Sequence, residues 1–103
     1  MKKKEDILSQ AHSPEFYIMK NLTAKIKSYV LSFRPELIEV NSFINHIYHI
    51  YLNAEILRIK TKYDVSKAIM LEYVKKAVLI VVAELIKEKK YTGDITGVIR
   101  LAA

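Results

Sequence analysis

Between Pro35 and Gly93 the chain carries neither proline nor glycine, and its 103 residues hold only two of each. Tight reversals rely on glycine for positive φ and on proline for a fixed φ, so a chain this poor in both lacks the turn chemistry of a loop-rich sandwich. With 51% hydrophobic residues it is also too apolar for a disordered segment. Long helices with few connections remain, and the length corresponds to one domain.

Ser13, Pro14 and Glu15 are a helix start: serine caps free N–H groups, proline suits the first turn and glutamate complements the dipole. Met19, Leu22, Ile26, Tyr29 or Val30, and Phe33 then recur at helical spacing, which predicts a helix over 14–33. Pro35 ends it and opens a second helix over 35–63, with Asn41 as an alternative cap after a separate turn. This segment carries two apolar sets, Leu37, Val40, Ile44, Ile47, Tyr51 and Ala54, and then Tyr48, Leu52, Ile56, Ile59 and Tyr63. A helix apolar on two faces needs two neighbours, so it is placed at the centre of the fold.

Asp64 is the expected cap of a third helix over 64–90, whose stretch 77–86 is apolar except at Glu84. Ile80, Val81 and Val82 would also suit a strand. No other segment alternates at period two to pair with them, so a helix is expected, with Val78 and Val81 fully buried. Gly93 supplies a stop and Asp94 caps a short fourth helix over 95–101. The resulting fold class is all-α: three long helices, up-down-up, with a short C-terminal fourth. Residues 1–12 read as a flexible basic tail before one helical domain over 13–103. Lys2, Lys3 and Lys4 are followed by no apolar h-region, and no apolar run approaches a membrane span of about 20 residues. A cytoplasmic protein without membrane partners is expected.

Zero cysteines exclude a disulfide scaffold, a thiolate metal site and a cysteine nucleophile. His46 and His49 could line a small pocket, yet no glutamate precedes any histidine by three residues, as a carboxylate-bridged metal centre requires. H-E-x-x-H, a phosphate-binding glycine loop and a nucleophile elbow are missing, so neither enzyme nor cofactor nor metal site is expected. Glu55 and Glu84 lie in apolar surroundings, and a salt bridge from Glu84 to a lysine of the first helix is the simplest account of its charge.

The apolar surface of the second and third helices exceeds what a small bundle hides, which points to a homo-oligomer, most simply a dimer. The uncharged stripe Asn41, Asn45, His49 would set the register of that interface, Tyr48 and Tyr51 its aromatic area, and Ile80 its contact from the third helix. The favoured function is accordingly a non-enzymatic assembly module. Its alternative uses the net charge of +6, concentrated as +3 over residues 14–34 and +4 over 60–90. Lys20, Lys25 and Lys27 with Lys67, Lys75 and Lys76 would then grip nucleic-acid phosphates without reading sequence, since the chain has only Arg34, Arg58 and Arg100 to read bases.

Overall fold

The structure, a computed structural model, describes residues 14–102. The tail expected over 1–12 and the cap at Ser13 lie outside them. The first helix, α1 (Pro14–Phe33), occupies the expected span, and its buried stripe is Ile18, Leu22, Ile26 and Val30 at steps of four. Phe33, expected on that stripe, is instead 69% exposed.

Pro35 does not open a helix. It is followed by a strand, β1 (Leu37–Glu39), and only then by α2 (Val40–His46). Glu39 caps α2: one carboxylate oxygen accepts from the Asn41 amide at 3.1 Å, the other from the Ser42 amide at 3.0 Å and the Ser42 hydroxyl at 2.7 Å. These donors hold the Glu39 carboxyl below the usual carboxylate range, the Ser42 hydroxyl bond contributing most.

α2 runs into a π-helical turn (Ile47–Tyr51) and then α3 (Asn53–Tyr63). The π turn resolves the two apolar sets of the sequence. Up to its first residue the buried positions are Val40, Ile44 and Ile47; from its second residue onward they are Tyr48, Leu52, Ile56 and Ile59. The second set is the first displaced by one position, and a π turn inserts one residue into a helix. One buried stripe is therefore handed from one face to the other, and the segment meets two neighbours, the last long helix and α1, the latter at Tyr29 and Asn21.

Asp64 is not the cap of the last long helix. It ends α3 in the left-handed region, with φ 52°. Ser66 caps α4 (Lys67–Lys87) instead, its hydroxyl accepting from the Ile69 amide at 3.3 Å. Arg34 and Lys89 also have positive φ, at 46° and 61°, just past the ends of α1 and α4. With glycine so scarce, three helices stop on residues for which this region costs about 1 kcal/mol. α4 buries Met70, Val74, Ala77, Val78, Val81, Val82 and Leu85, as its apolar middle predicts.

The short fourth helix is a correction. Residues 91–101 form a hairpin of β2 (Tyr91–Gly93) and β3 (Val98–Leu101). Asp94 serves its turn, accepting on its side chain from the Thr96 amide at 3.0 Å and hydroxyl at 3.1 Å, because the chemistry that caps helices also closes turns. Gly93, at φ 137°, lies where a Cβ would run into the Val98 carbonyl. The three strands pair antiparallel in the order β1-β3-β2, with Ile38 opposite Ile99 and Tyr91 opposite Leu101. Ile38, Tyr91 and Ile99 turn into the core, where β2 packs on α4. A fold that is mostly helical thus closes one end with a small sheet. That sheet covers apolar surface of α4 that was expected to need a second chain.

Candidate functional site

Two concavities lie beside the π turn. The first is an open groove of about 520 Å³ between the end of α1, β1 and α2. Its centre is Tyr29, whose ring lies 4.7 Å from Phe33, 6.1 Å from Phe43 and 4.0 Å from Tyr51 between centroids. Tyr29 Oη and His46 Nε2 share a hydrogen bond of 3.0 Å, and His46 is stacked on both Tyr29 and Phe43. The polar rim, Glu39 and Ser42, is already spent on capping α2. The large apolar residues that the groove leaves exposed are Phe33 at 69% and Leu37 at 46%, and Tyr51, packed on the Tyr29 ring, is 41% exposed beside it.

β1 adds an unpaired edge to this groove. Glu36 O accepts from the Leu101 amide at 2.8 Å and the Val40 amide donates to Gly97 O at 2.8 Å, while Ile38 faces Ile99. Alternation along the strand then leaves the Leu37 N–H and C=O on the side away from β3.

The second concavity, about 280 Å³, is enclosed by the π turn, α3 and the start of α4. One wall is polar: His49, Asn53, Lys60 and Lys67. The other is apolar: Tyr48, Ile56 and Leu57. The imidazole of His49 meets the Tyr48 ring edge-on at 4.9 Å.

The residues singled out from the sequence do not gather in one place. Tyr51 joins the aromatic groove. His49 joins the second pocket, and Asn41 and Asn45 are exposed on α2. Tyr48 is only 7% exposed and belongs to the core that lines the pocket, so its ring offers little outer area; Ile80 lies on α4 at 41% exposure. His46 and His49 line different concavities, and among the described residues no three His, Cys, Asp or Glu side chains converge as metal ligands.

Of the six lysines, Lys25 lies 3.9 Å from Glu55, Lys27 2.8 Å from Glu88 and 4.0 Å from Glu84, and Lys76 3.9 Å from Glu15. Glu84 thus meets a lysine of the first helix, as its charge implied. Lys20 and Lys75 are exposed, and Lys67 lines the second pocket with Lys60, which no sequence pattern singles out. Glu55 ties α3 to α1: it accepts from Arg58 Nε at 2.7 Å and from Asn21 Nδ2 at 3.1 Å. The Arg58 bond, helped by Asn21, lowers its pKa to about 2 against the cost of burial.

Tyr29, Phe33 and Phe43, which form the groove, read in sequence as ordinary apolar positions. The available signal was Phe33 standing beside Arg34 and Pro35, where a helix must end and its last ring loses a neighbouring turn. Among the described residues no helix is long and apolar enough to cross a membrane. No family model matches this chain, and neither the curated proteins nor the solved structures give a match.

Proposed function

We propose that the chain is a non-enzymatic assembly module that self-associates through the aromatic groove and the open edge of β1. One observation carries this reading: Phe33 and Leu37 line the groove with Tyr29, Tyr51 packs on the Tyr29 ring, and Phe33, Leu37 and Tyr51 are all substantially exposed. Fully burying side chains of this size is worth roughly 1.5–3 kcal/mol each, and clustered aromatics are what interface cores favour. A second copy is the fitting occupant because an antiparallel pair of β1 strands is self-complementary about a twofold axis. β1 is only three residues long, so main-chain bonds would set the register while the aromatic groove supplies the area. This reading moves the interface from the apolar faces of the second and third helices, where the sequence places it, to a groove at the α1–β1 junction.

Light scattering at micromolar concentration tests this reading. The parent protein is expected to have twice the chain mass of 11.9 kDa. Phe33→Glu should reduce it to the monomer mass, whereas Ile80→Glu, outside the groove, should leave it doubled. A monomeric parent, or equal dissociation by both variants, would overturn the proposal.

A further inference from the structure

The pocket on the other side of the π turn collects positive charge without any counter-charge. Among the described residues no carboxylate lines it, and neither Lys60 nor Lys67 has an ion pair, whereas Lys25, Lys27 and Lys76 all do. Lys67 is also the first residue of the 21-residue helix α4, whose first turn contains no acidic side chain. A lysine there adds its charge to the positive end of the helix, a placement that disfavours the fold. Asp64, the nearest acid in sequence, lies outside the lining and joins no ion pair among the described residues. Electrostatic conflict of this kind is relieved by a bound anion.

We infer that this pocket binds the phosphate group of a small phosphomonoester. Two ammonium groups match the two charges of a phosphate monoester. The His49 imidazole, from the π turn, and the Asn53 amide, from the start of α3, add directional donors, as a tetrahedral group with several acceptor oxygens requires. Tyr48, Ile56 and Leu57 form an apolar wall for the organic part. A volume of about 280 Å³ falls at the small end of ligand pockets, which suits one phosphate carrying a small ring or short chain. The site also differs from a nucleic-acid surface. Lys60 and Lys67 line one concavity, while no other lysine of the nucleic-acid reading lines it and Lys25, Lys27 and Lys76 are paired with glutamates. This inference does not depend on self-association through the groove.

The test is calorimetric titration of the full-length protein with phenyl phosphate and with inorganic phosphate. Saturable binding of phenyl phosphate is expected, with phosphate alone weaker because it leaves the apolar wall unused. Lys60→Gln with Lys67→Gln should weaken binding by about tenfold or more, and Lys20→Gln with Lys75→Gln, which removes equal charge elsewhere, by less than about twofold. Because Lys60 and Lys67 have no ion pair to lose among the described residues, the first double variant should fold and melt at or above the parent temperature. Asn53→Leu, which leaves net charge unchanged, should weaken binding as well. Phenyl phosphate should raise the melting temperature of the parent and not that of the Lys60/Lys67 variant. Absence of saturable binding, equal loss in both double variants, or full retention in the Lys60/Lys67 variant would overturn the inference. So would displacement of phenyl phosphate by an oligonucleotide whose own binding falls equally in both double variants, because that result assigns the lysines to a nucleic-acid backbone.

Discussion

The two sides of the π turn carry opposite kinds of incompleteness. The groove around Tyr29 has satisfied polar groups: His46 is bonded to Tyr29, and Glu39 is occupied by Ser42 and Asn41. It lacks cover for its apolar side chains. The pocket around Lys67 has a buried tyrosine and a buried isoleucine, Ile56, but among the described residues its cations lack a counter-charge. Burial of apolar area responds weakly to salt, while an ion-binding site is screened by it. Raising ionic strength should therefore leave assembly through the groove intact and weaken phosphate binding in the pocket. One inserted residue in a helix suffices to build both, because it turns Tyr51 toward the ring of Tyr29 and His49 toward the lysines.

The largest perturbation should remove both sides together. Val81 is wholly buried in α4, against which α1, α2, α3 and the π turn all pack. Val81→Asp places a charge without a partner there, a change worth more than about 4 kcal/mol, and should abolish cooperative unfolding by circular dichroism. Tyr29→Ala should separate the two sides. Loss of its ring contacts is expected to cost about 2–3 kcal/mol in urea denaturation and to dissociate the assembly, with phosphate binding retained. Tyr29→Phe, which removes only the bond to His46, should cost about 1 kcal/mol.

A smaller effect is expected where α3 is tied to α1. Glu55 has its pKa lowered from 4.5 to about 2, so the folded state binds its proton less readily than the unfolded chain does. Its contribution is fully present above pH 4.5 and is lost as pH falls toward 2. With Arg58 and Lys25 largely in solvent, the contribution is about 1–2 kcal/mol. Glu55→Gln should lower neutral-pH stability by that amount and flatten the acid limb of the stability profile between those two pH values. The smallest effects are gains. Asp64→Gly and Lys89→Gly relieve positive φ at helix ends and should each raise stability by about 0.5–1 kcal/mol, read from the urea midpoint.

α1 and the apolar body of α4 were legible in the sequence because a helix repeats its signal over many turns. Pro14 and Pro35 bracket α1, and Val78 and Val81 sit deep in an apolar run. The sheet was not legible. Leu37–Glu39 and Val98–Leu101 give three and four residues in which to see alternation, and their pairing is non-local. Ile38 and Val40 were nonetheless spaced by two, directly after a proline. Asp94 misled because capping and turn formation use the same side-chain acceptor. The π turn left the clearest unread signal: two apolar sets offset by one residue indicate an insertion as well as a second face. From the sequence Tyr51 and His49 share one oligomer face and Lys67 belongs to a phosphate-gripping set, whereas across the π turn Tyr51 packs on Tyr29 and His49 lines the pocket with Lys67.

Hydrogen exchange at the Leu37 amide tests the central claim, self-association through the groove and β1 edge, most directly. In the single chain this N–H lies on the open edge of β1 and should exchange as an unprotected amide. Pairing of two β1 strands should protect it increasingly as protein concentration rises, and Phe33→Glu should abolish that protection while leaving the Ile38 amide, on the β3 side, unchanged. Leu37 exchange that is fast and independent of concentration, in a sample whose mass is that of a dimer, would contradict the claim.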